Sequence, residues 1–277
     1  MVEKKIGIVI QARLNSSRLP KKVLLPLPHG SATTLLDQII RRAQKSCLDP
    51  VVILATSDQP ENNDLQEVAN KNQAYFYQGP EEDVLARFYE AATLHKLDVV
   101  VRLTADNPFI EASIIDQTVN ALLAQNYSYT VTAGLPLGCN IEVISMDALV
   151  QAHLEATLPE HREHVTPYIK QNPNLFRLHT QPFYQPGYST WRLTVDNEND
   201  YALACLLYHW LYPINPYFGL EQVAAVIQNH PWITFINRQN FQKQIFTDLD
   251  TEVQAGVKLL EQHDLPQAAK LLAKTLN

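Results

Sequence analysis

The sequence predicts an α/β fold, a mostly parallel, doubly wound sheet of Rossmann-like build, and three observations carry the prediction. Short, almost continuously apolar runs at residues 6–10, 51–55 and 98–104 alternate with longer amphipathic stretches. Runs that are apolar throughout, rather than alternating, mark strands covered on both faces. The composition, 46% hydrophobic and 18% charged over 277 residues, suits a sizeable core and is far from that of a disordered chain. A chain of this length forms one large domain, or a domain with a smaller appendage.

Residues 6–10 form the first strand and lead into a basic loop that ends at Lys22. A helix starts at Thr34, because Leu35, Leu36, Ile39, Ile40 and Ala43 fall at helical spacing and Thr34 with Asp37 imitates a capping box. Residues 51–55 give the second strand, 61–71 a helix, 75–77 a short strand and 81–96 a long helix with acidic residues in its first turn. The strand at 98–104 is followed by a helix at 114–124. Beyond residue 126 the rhythm changes. Shorter strands are expected at 131–132, 141–145, 176–180 and 191–195, with helices at 160–170, 199–211, 220–228 and 253–276. The aromatic, proline-bearing stretch 208–218 reads as packing or subunit contact.

Ligands on such sheets sit beyond the C-terminal ends of the strands, and chemistry-bearing residues concentrate there. The first strand runs into Gln11, Ala12, Arg13, Asn15, Ser16, Arg18, Lys21 and Lys22, a loop whose Arg forks and Lys charges could neutralise a polyphosphate. A solvated basic loop is the plainer reading. Asp106 ends the strand at 98–104 before Asn-Pro; it is either a carboxylate for Mg²⁺ or a turn-initiating Asp. Asp196 repeats the arrangement after residues 191–195, with Asn197 or Asp200 as a helix cap. Two strand-terminal carboxylates and a basic loop on one sheet form a coherent phosphoryl-transfer site. His161 and His164 stand three apart on an expected helix and read as a polar, substrate-contacting face rather than a zinc site.

Composition excludes several classes. Eight glycines, about 3% against an average near 7%, permit neither a dinucleotide fingerprint nor a Walker loop. A formal charge of −7 argues against nucleic-acid binding. No run approaches a membrane span, and three scattered cysteines fit a reducing cytoplasm without a disulfide framework.

The segments IVIQARLNSSRLPKKVL, ATSDQPENN, GPEEDVLARFYEAA, VVRLTADNPFI, GCNIEVIS, HREHVTPYI and RLTVDNENDYAL, in this order, resemble the cytidylyltransferase family of the spore coat polysaccharide biosynthesis protein SpsF. More distantly, the chain is similar to 3-deoxy-manno-octulosonate (KDO) and acylneuraminate cytidylyltransferases. The resemblance runs from residue 6 to about 237. It implies a Rossmann-like nucleotidyltransferase that uses CTP and Mg²⁺, acts on a small acidic or phosphorylated acceptor and works as a homodimer in the cytoplasm. It implies that Arg13, Lys22, Asp106 and Asp196 are catalytic, with Asp106 and Asp196 on the metal. Gln11, Ala12, Asn15, Ser16, Arg18, Gly79, Asp83 and Arg87 would complete the nucleotide side. Glu142, Arg162, Glu163, His164 and Thr166 would face the acceptor. The expected organisation is a cytidylyltransferase domain at 1–237, with a nucleotide half to about 126 and an acceptor half from 127, and a helical extension at 238–277. Relatives usually carry Gly near Asn15 and at Lys21, and Asp where this chain has Asn140. A nucleotide-sugar-dependent glycosyltransferase and a non-catalytic nucleotide-binding module are the alternative functions.

Overall fold

The structure is a computed structural model that describes residues 4–16, 18–240 and 248–274. Ser17 of the basic loop and residues 275–276 of the last expected helix lie outside them. The chain divides into two compact units, residues 1–239 and 240–277.

The first unit is built on seven strands: β1 (Ile6–Gln11), β2 (Val51–Ser57), β3 (Tyr75–Gly79), β4 (Val99–Thr104), β5 (Tyr129–Ala133), β6 (Glu142–Ser145) and β7 (Leu178–Pro182). Their order in the sheet is β3-β2-β1-β4-β6-β5-β7. β6 runs antiparallel to both its neighbours and the other pairings are parallel. Six strands therefore point the same way, and the loops that follow them emerge at one edge. Successive side chains of a strand face opposite sides. Ile8 and Ile10 accordingly join a core shared with α1 (Leu35–Ala43), α4 (Ala112–Gln125) and α8 (Glu198–Leu211), whereas Val9 joins a second core with α3 (Val84–Leu94) and α5 (Met146–Glu155).

α1 begins at the expected capping box: Thr34 Oγ1 accepts from Asp37 N at 3.1 Å, and Thr34 N donates to Asp37 Oδ2 at 2.7 Å. α2 is Asp64–Lys71, and α9 is Leu220–Asn229. Tyr208, Phe109 and Phe218 are fully buried and stack edge to face, so the aromatic stretch supplies packing.

Several expected elements differ. Residues 191–195 are extended but form no strand. Leu193 N donates to Leu137 O at 2.8 Å and Leu137 N to Trp191 O at 3.0 Å, giving one isolated bridge. The facing segment cannot extend the ladder, because Pro136 has no N–H and Gly138 turns away at φ 95°. Gly138 is also required by proximity, since a Cβ there would come within 2.5 Å of Thr194 N. The helix expected at 160–170 is two short ones, α6 (Pro159–His164) and α7 (Pro167–Gln171), parted by Val165 at φ 70° and restarted by a proline at the first helical position. α5 was not expected; Ser145 caps it, accepting from Ala148 N at 3.3 Å.

Four turns that lead into parallel strands place a non-glycine residue in the left-handed region. They are Asp49 before β2 (φ 47°), Gln73 before β3 (φ 56°), Lys96 before β4 (φ 54°) and Asn126 before β5 (φ 51°).

The second unit is a helix pair, α10 (Leu249–Gln262) and α11 (Pro266–Ala273), rather than one helix. Asp264 at φ 55° and Pro266 make the turn between them. No residue of α10 is buried, and Ala269 is the buried residue of α11.

Candidate active site

The basic loop after β1 is fastened from below without a glycine. Leu14 is buried, and its N–H donates to Asn62 Oδ1 at 2.9 Å; Asn62 in turn donates to Ser57 Oγ at 2.7 Å. Asn15 Nδ2 donates to Glu61 Oε1 at 2.6 Å, and Lys21 N to Leu14 O at 3.3 Å. Lys21, where the resemblance leads one to expect glycine, takes the left-handed conformation at φ 53°, while Asn15 has no positive φ. The loop thus places Lys22 at the head of a 3₁₀ turn, Lys22–Leu24, with its side chain under the cleft.

Lys22 Nζ donates to Asp106 Oδ2 at 3.0 Å and to Asp196 Oδ1 at 2.9 Å, so one ammonium joins the carboxylates that end two different segments. Asp106 is oriented from β4: Thr104 Oγ1 donates to its Oδ1 at 2.6 Å, and Asn107 Nδ2 donates to Thr104 Oγ1 at 2.8 Å. The backbone of Asp106 holds the other segment too, its carbonyl accepting from Val195 N at 2.8 Å. Asp196 accepts from Arg192 at 2.9 Å and lies 3.3 Å from Arg18. Arg192 forks onto buried Asp200 with two bonds of 2.9 Å, and Asp200 also accepts from Asp196 N and from buried Asn237. Asn197 caps α8, accepting from Asp200 N at 3.1 Å. Burial raises the Asp196 carboxyl, but Lys22, Arg18 and Arg192 outweigh it and hold the group below its ordinary value.

Arg18, Lys22, Thr104, Asp106 and Asp196 line a cleft of about 240 Å³ at the C-terminal edge of the sheet, together with Gln11, Ala12, Arg13, Asn15 and Ser16. Arg13 forms no hydrogen bond or ion pair among the described residues, and Gln11 Oε1 is buried without a partner. The cleft therefore offers spare cationic and polar groups around a neutralised carboxylate pair. No cluster of three or more metal-ligating His, Cys, Asp or Glu occurs among the described residues.

The remaining expected residues fall into two groups. Arg87 donates to Pro80 O at 2.6 Å and Glu81 O at 2.9 Å, shaping the turn after Gly79; burial and then the like charge of Arg13 lower its pKa. Asp83 caps α3, accepting from Ala86 N at 2.9 Å, and pairs with Arg162, whose Nε donates to it at 2.9 Å. An expected nucleotide-side residue and an expected acceptor-side residue are thus one ion pair. Glu142 gathers Arg102 at 2.7 Å, Tyr129 at 2.5 Å, Thr166 at 2.9 Å and Lys170 at 3.4 Å. Burial raises its carboxyl, yet Arg102 and Lys170, helped by Tyr129 and Thr166, bring it down to about 2. Glu163 is exposed and His164 half-buried, and neither joins these bonds among the described residues. His161 is buried, 2.9 Å from Gln171 Oε1, so it does not share a ligand-facing surface with His164.

The sequence profile of the cytidylyltransferase family matches residues 7–262. The chain belongs to that family. The match runs past residue 237, where the sequence resemblance stopped. An uncharacterized protein of Methanocaldococcus jannaschii is 38% identical over 240 residues, 86% of this chain and 97% of that protein. The spore coat polysaccharide biosynthesis protein SpsF of Bacillus subtilis is 36% identical over 213 residues, covering 73% of this chain and 86% of SpsF. A 3-deoxy-manno-octulosonate cytidylyltransferase of Neisseria meningitidis is 33% identical over 131 residues, 46% of this chain and 49% of the enzyme. Among solved structures, a cytidylyltransferase from Leptospira borgpetersenii superposes with a TM-score of 0.78 at 28% identity, covering 87% of this chain and 100% of that one.

In this cytidylyltransferase of the SpsF type, sequence reasoning missed the residues that hold the site from behind. Asp200 was visible only as a possible cap. Arg192 sat within an expected strand, and Asn237 lies far along the chain. The spacing of Arg192, Asp196 and Asp200, each four residues from the next, was the one signal available. Thr104, two residues before Asp106, carried none.

Proposed function

We propose that this cytidylyltransferase moves CMP from CTP to an acidic sugar or a phosphorylated acceptor, releasing pyrophosphate, in the synthesis of a surface glycan. The observation that carries the reading is the ammonium of Lys22 bonded to both Asp106 and Asp196 inside a cleft rimmed by Arg13 and Arg18. A triphosphate needs clustered cations, and positioning with charge neutralisation performs most of the work in phosphoryl transfer. Arg13, Arg18 and Lys22 would take the phosphates, with Gln11, Ala12, Asn15 and Ser16 forming the rest of the loop. Gly79, Asp83 and Arg87 would line the nucleotide further along. An acceptor oxygen, either an ionised phosphate oxygen or a hydroxyl that gives up its proton to solvent, attacks the α-phosphorus of CTP as the bond to the bridging oxygen of the β-phosphate breaks; that electron pair leaves with pyrophosphate, beside Lys22.

Mg²⁺ fits the donor set. Asp106 Oδ2 and Asp196 Oδ1 already converge on one positive charge, and Mg²⁺ binds through one or two carboxylates plus substrate phosphates. When bound there, the ion would neutralise phosphate charge as the transition state forms. Glu142, Arg162, Glu163, His164 and Thr166 would form the acceptor side. The reading takes residues 1–237 as the catalytic domain, 238–277 as a helical extension, and a cytoplasmic homodimer as the working form.

The test is pyrophosphate release from CTP, UTP, ATP and GTP with Mg²⁺, against a panel of acidic sugars and phosphorylated acceptors. Release from CTP with at least one acceptor is expected. No release with any acceptor, despite measurable CTP binding, overturns the reading.

A further inference from the structure

A second cleft, of about 440 Å³, opens beyond the C-terminal ends of β5 and β7, beside the first turns of α4 and α9. None of the residues assigned above to nucleotide, metal or acceptor lines it. Its chemistry is the reverse of that in the first cleft. The lining contains Glu111 and Glu221 and no Lys, Arg or His. Glu111 accepts from the N–H of Leu220 on one oxygen and from Ser113 Oγ at 3.4 Å on the other, while Glu221 forms no hydrogen bond or ion pair among the described residues. Both carboxylates act on one place: after burial, they are the charges that push the Tyr188 hydroxyl up.

Three aromatic residues share the rest of the wall with aliphatic and neutral polar side chains. Tyr184 is 75% exposed, yet its ring is seated against bare backbone. Gly134 lies behind it at φ 88°, and a Cβ there would come within 2.6 Å of Tyr184 Cδ1. The Cδ1–Cε1 side of the ring is backed, and the residue as a whole stays largely open to solvent. Tyr188 and Phe183 continue the wall. Aromatic rings beside carboxylates that have no Lys, Arg or His partner in the lining attract an organic cation, which gains ring contact and charge at once. An acidic or phosphorylated group would find no cationic partner among the lining residues.

We propose that this cleft binds an organic ammonium group, its charge near Glu111 and Glu221 and its carbons against Tyr184 and Tyr188. The full chain titrated calorimetrically with choline chloride at constant ionic strength tests this, with the neutral isostere 3,3-dimethylbutan-1-ol as control. Choline is expected to bind saturably and the alcohol not to. Glu221→Gln and Tyr184→Ala should each weaken choline about five-fold, with CTP affinity unchanged. No saturable choline binding by the folded chain, equal binding of the alcohol, or unaltered affinity in both variants overturns the proposal. Choline binding by a chain that does not bind CTP would leave the ammonium site standing and remove the nucleotide reading.

Discussion

Asp106 stands at the meeting point of β4, the Lys22 ammonium and the extended segment that carries Asp196. Its side chain is exposed enough to change without unfolding the core, so Asp106→Asn should leave the melting temperature close to that of the parent. Turnover in the pyrophosphate assay should fall by about 10²–10³-fold. Near-normal turnover would remove Asp106 from the proposed metal site. Glu142 makes the opposite kind of prediction, about stability. Its carboxyl ionises near 2 in the folded chain against an ordinary value of 4.5, so the folded state binds the proton more weakly than the unfolded one. Its contribution is full above 4.5 and declines as pH falls toward 2. Glu142→Gln leaves the Arg102 guanidinium without its charge partner and should cost about 3 kcal/mol at pH 7. In urea unfolding at stepped pH, the gap between parent and variant should shrink below pH 4.5.

Gly138 couples two elements rather than two residues. It is the one position where the loop after β5 can pass the backbone of Thr194, and that backbone leads directly to Asp196. Gly138→Ala adds a strained conformation and a steric conflict with main chain, at a cost of about 1–3 kcal/mol. Steady-state kinetics should show kcat falling more than CTP affinity, because Arg13 and Arg18 sit on a different loop. The same elements mark what the sequence could disclose. β1 with its basic loop, and β4 with Asp106, were legible because each packs its pattern into about a dozen adjacent residues. The α6–α7 break was not, since valine has no preference for the conformation Val165 adopts; Pro167 was the one local hint. Residues 191–195 have strand chemistry, but whether they form a ladder depends on Pro136 and Gly138 more than fifty residues earlier. The link from Asp200 to Asn237 is tertiary, and no spacing encodes it.

Across the whole molecule, stability is unevenly distributed. The sheet unit buries its central strands β1, β2 and β4 on both faces, whereas α10 buries no side chain and α11 only Ala269. Hydrogen exchange should therefore be fast through residues 249–273 and slow through β1, β2 and β4, a pattern read directly by mass spectrometry. Equal protection in both regions would contradict it. The parallel sense of β1, β2 and β4, legible from their continuous apolar runs, puts the expected catalytic groups at one edge. The reversed β6 was not legible, because Glu142 interrupts its pattern with a charge that only Arg102 and Lys170 explain. At the other edge lie Asp49, Gln73, Lys96 and Asn126, all left-handed, the last three where helices usually end on glycine. A side chain in that conformation costs roughly 1–2 kcal/mol, of which glycine's greater freedom when unfolded returns about half. Gln73→Gly and Lys96→Gly should each raise stability by up to about 1 kcal/mol in thermal melts, with kcat unchanged. A chain with eight glycines has left them out of these turns. The rim facing away from the chemistry is thus an engineering reserve, where the scaffold can be hardened for heat or for catalytic redesign without touching a residue that meets substrate.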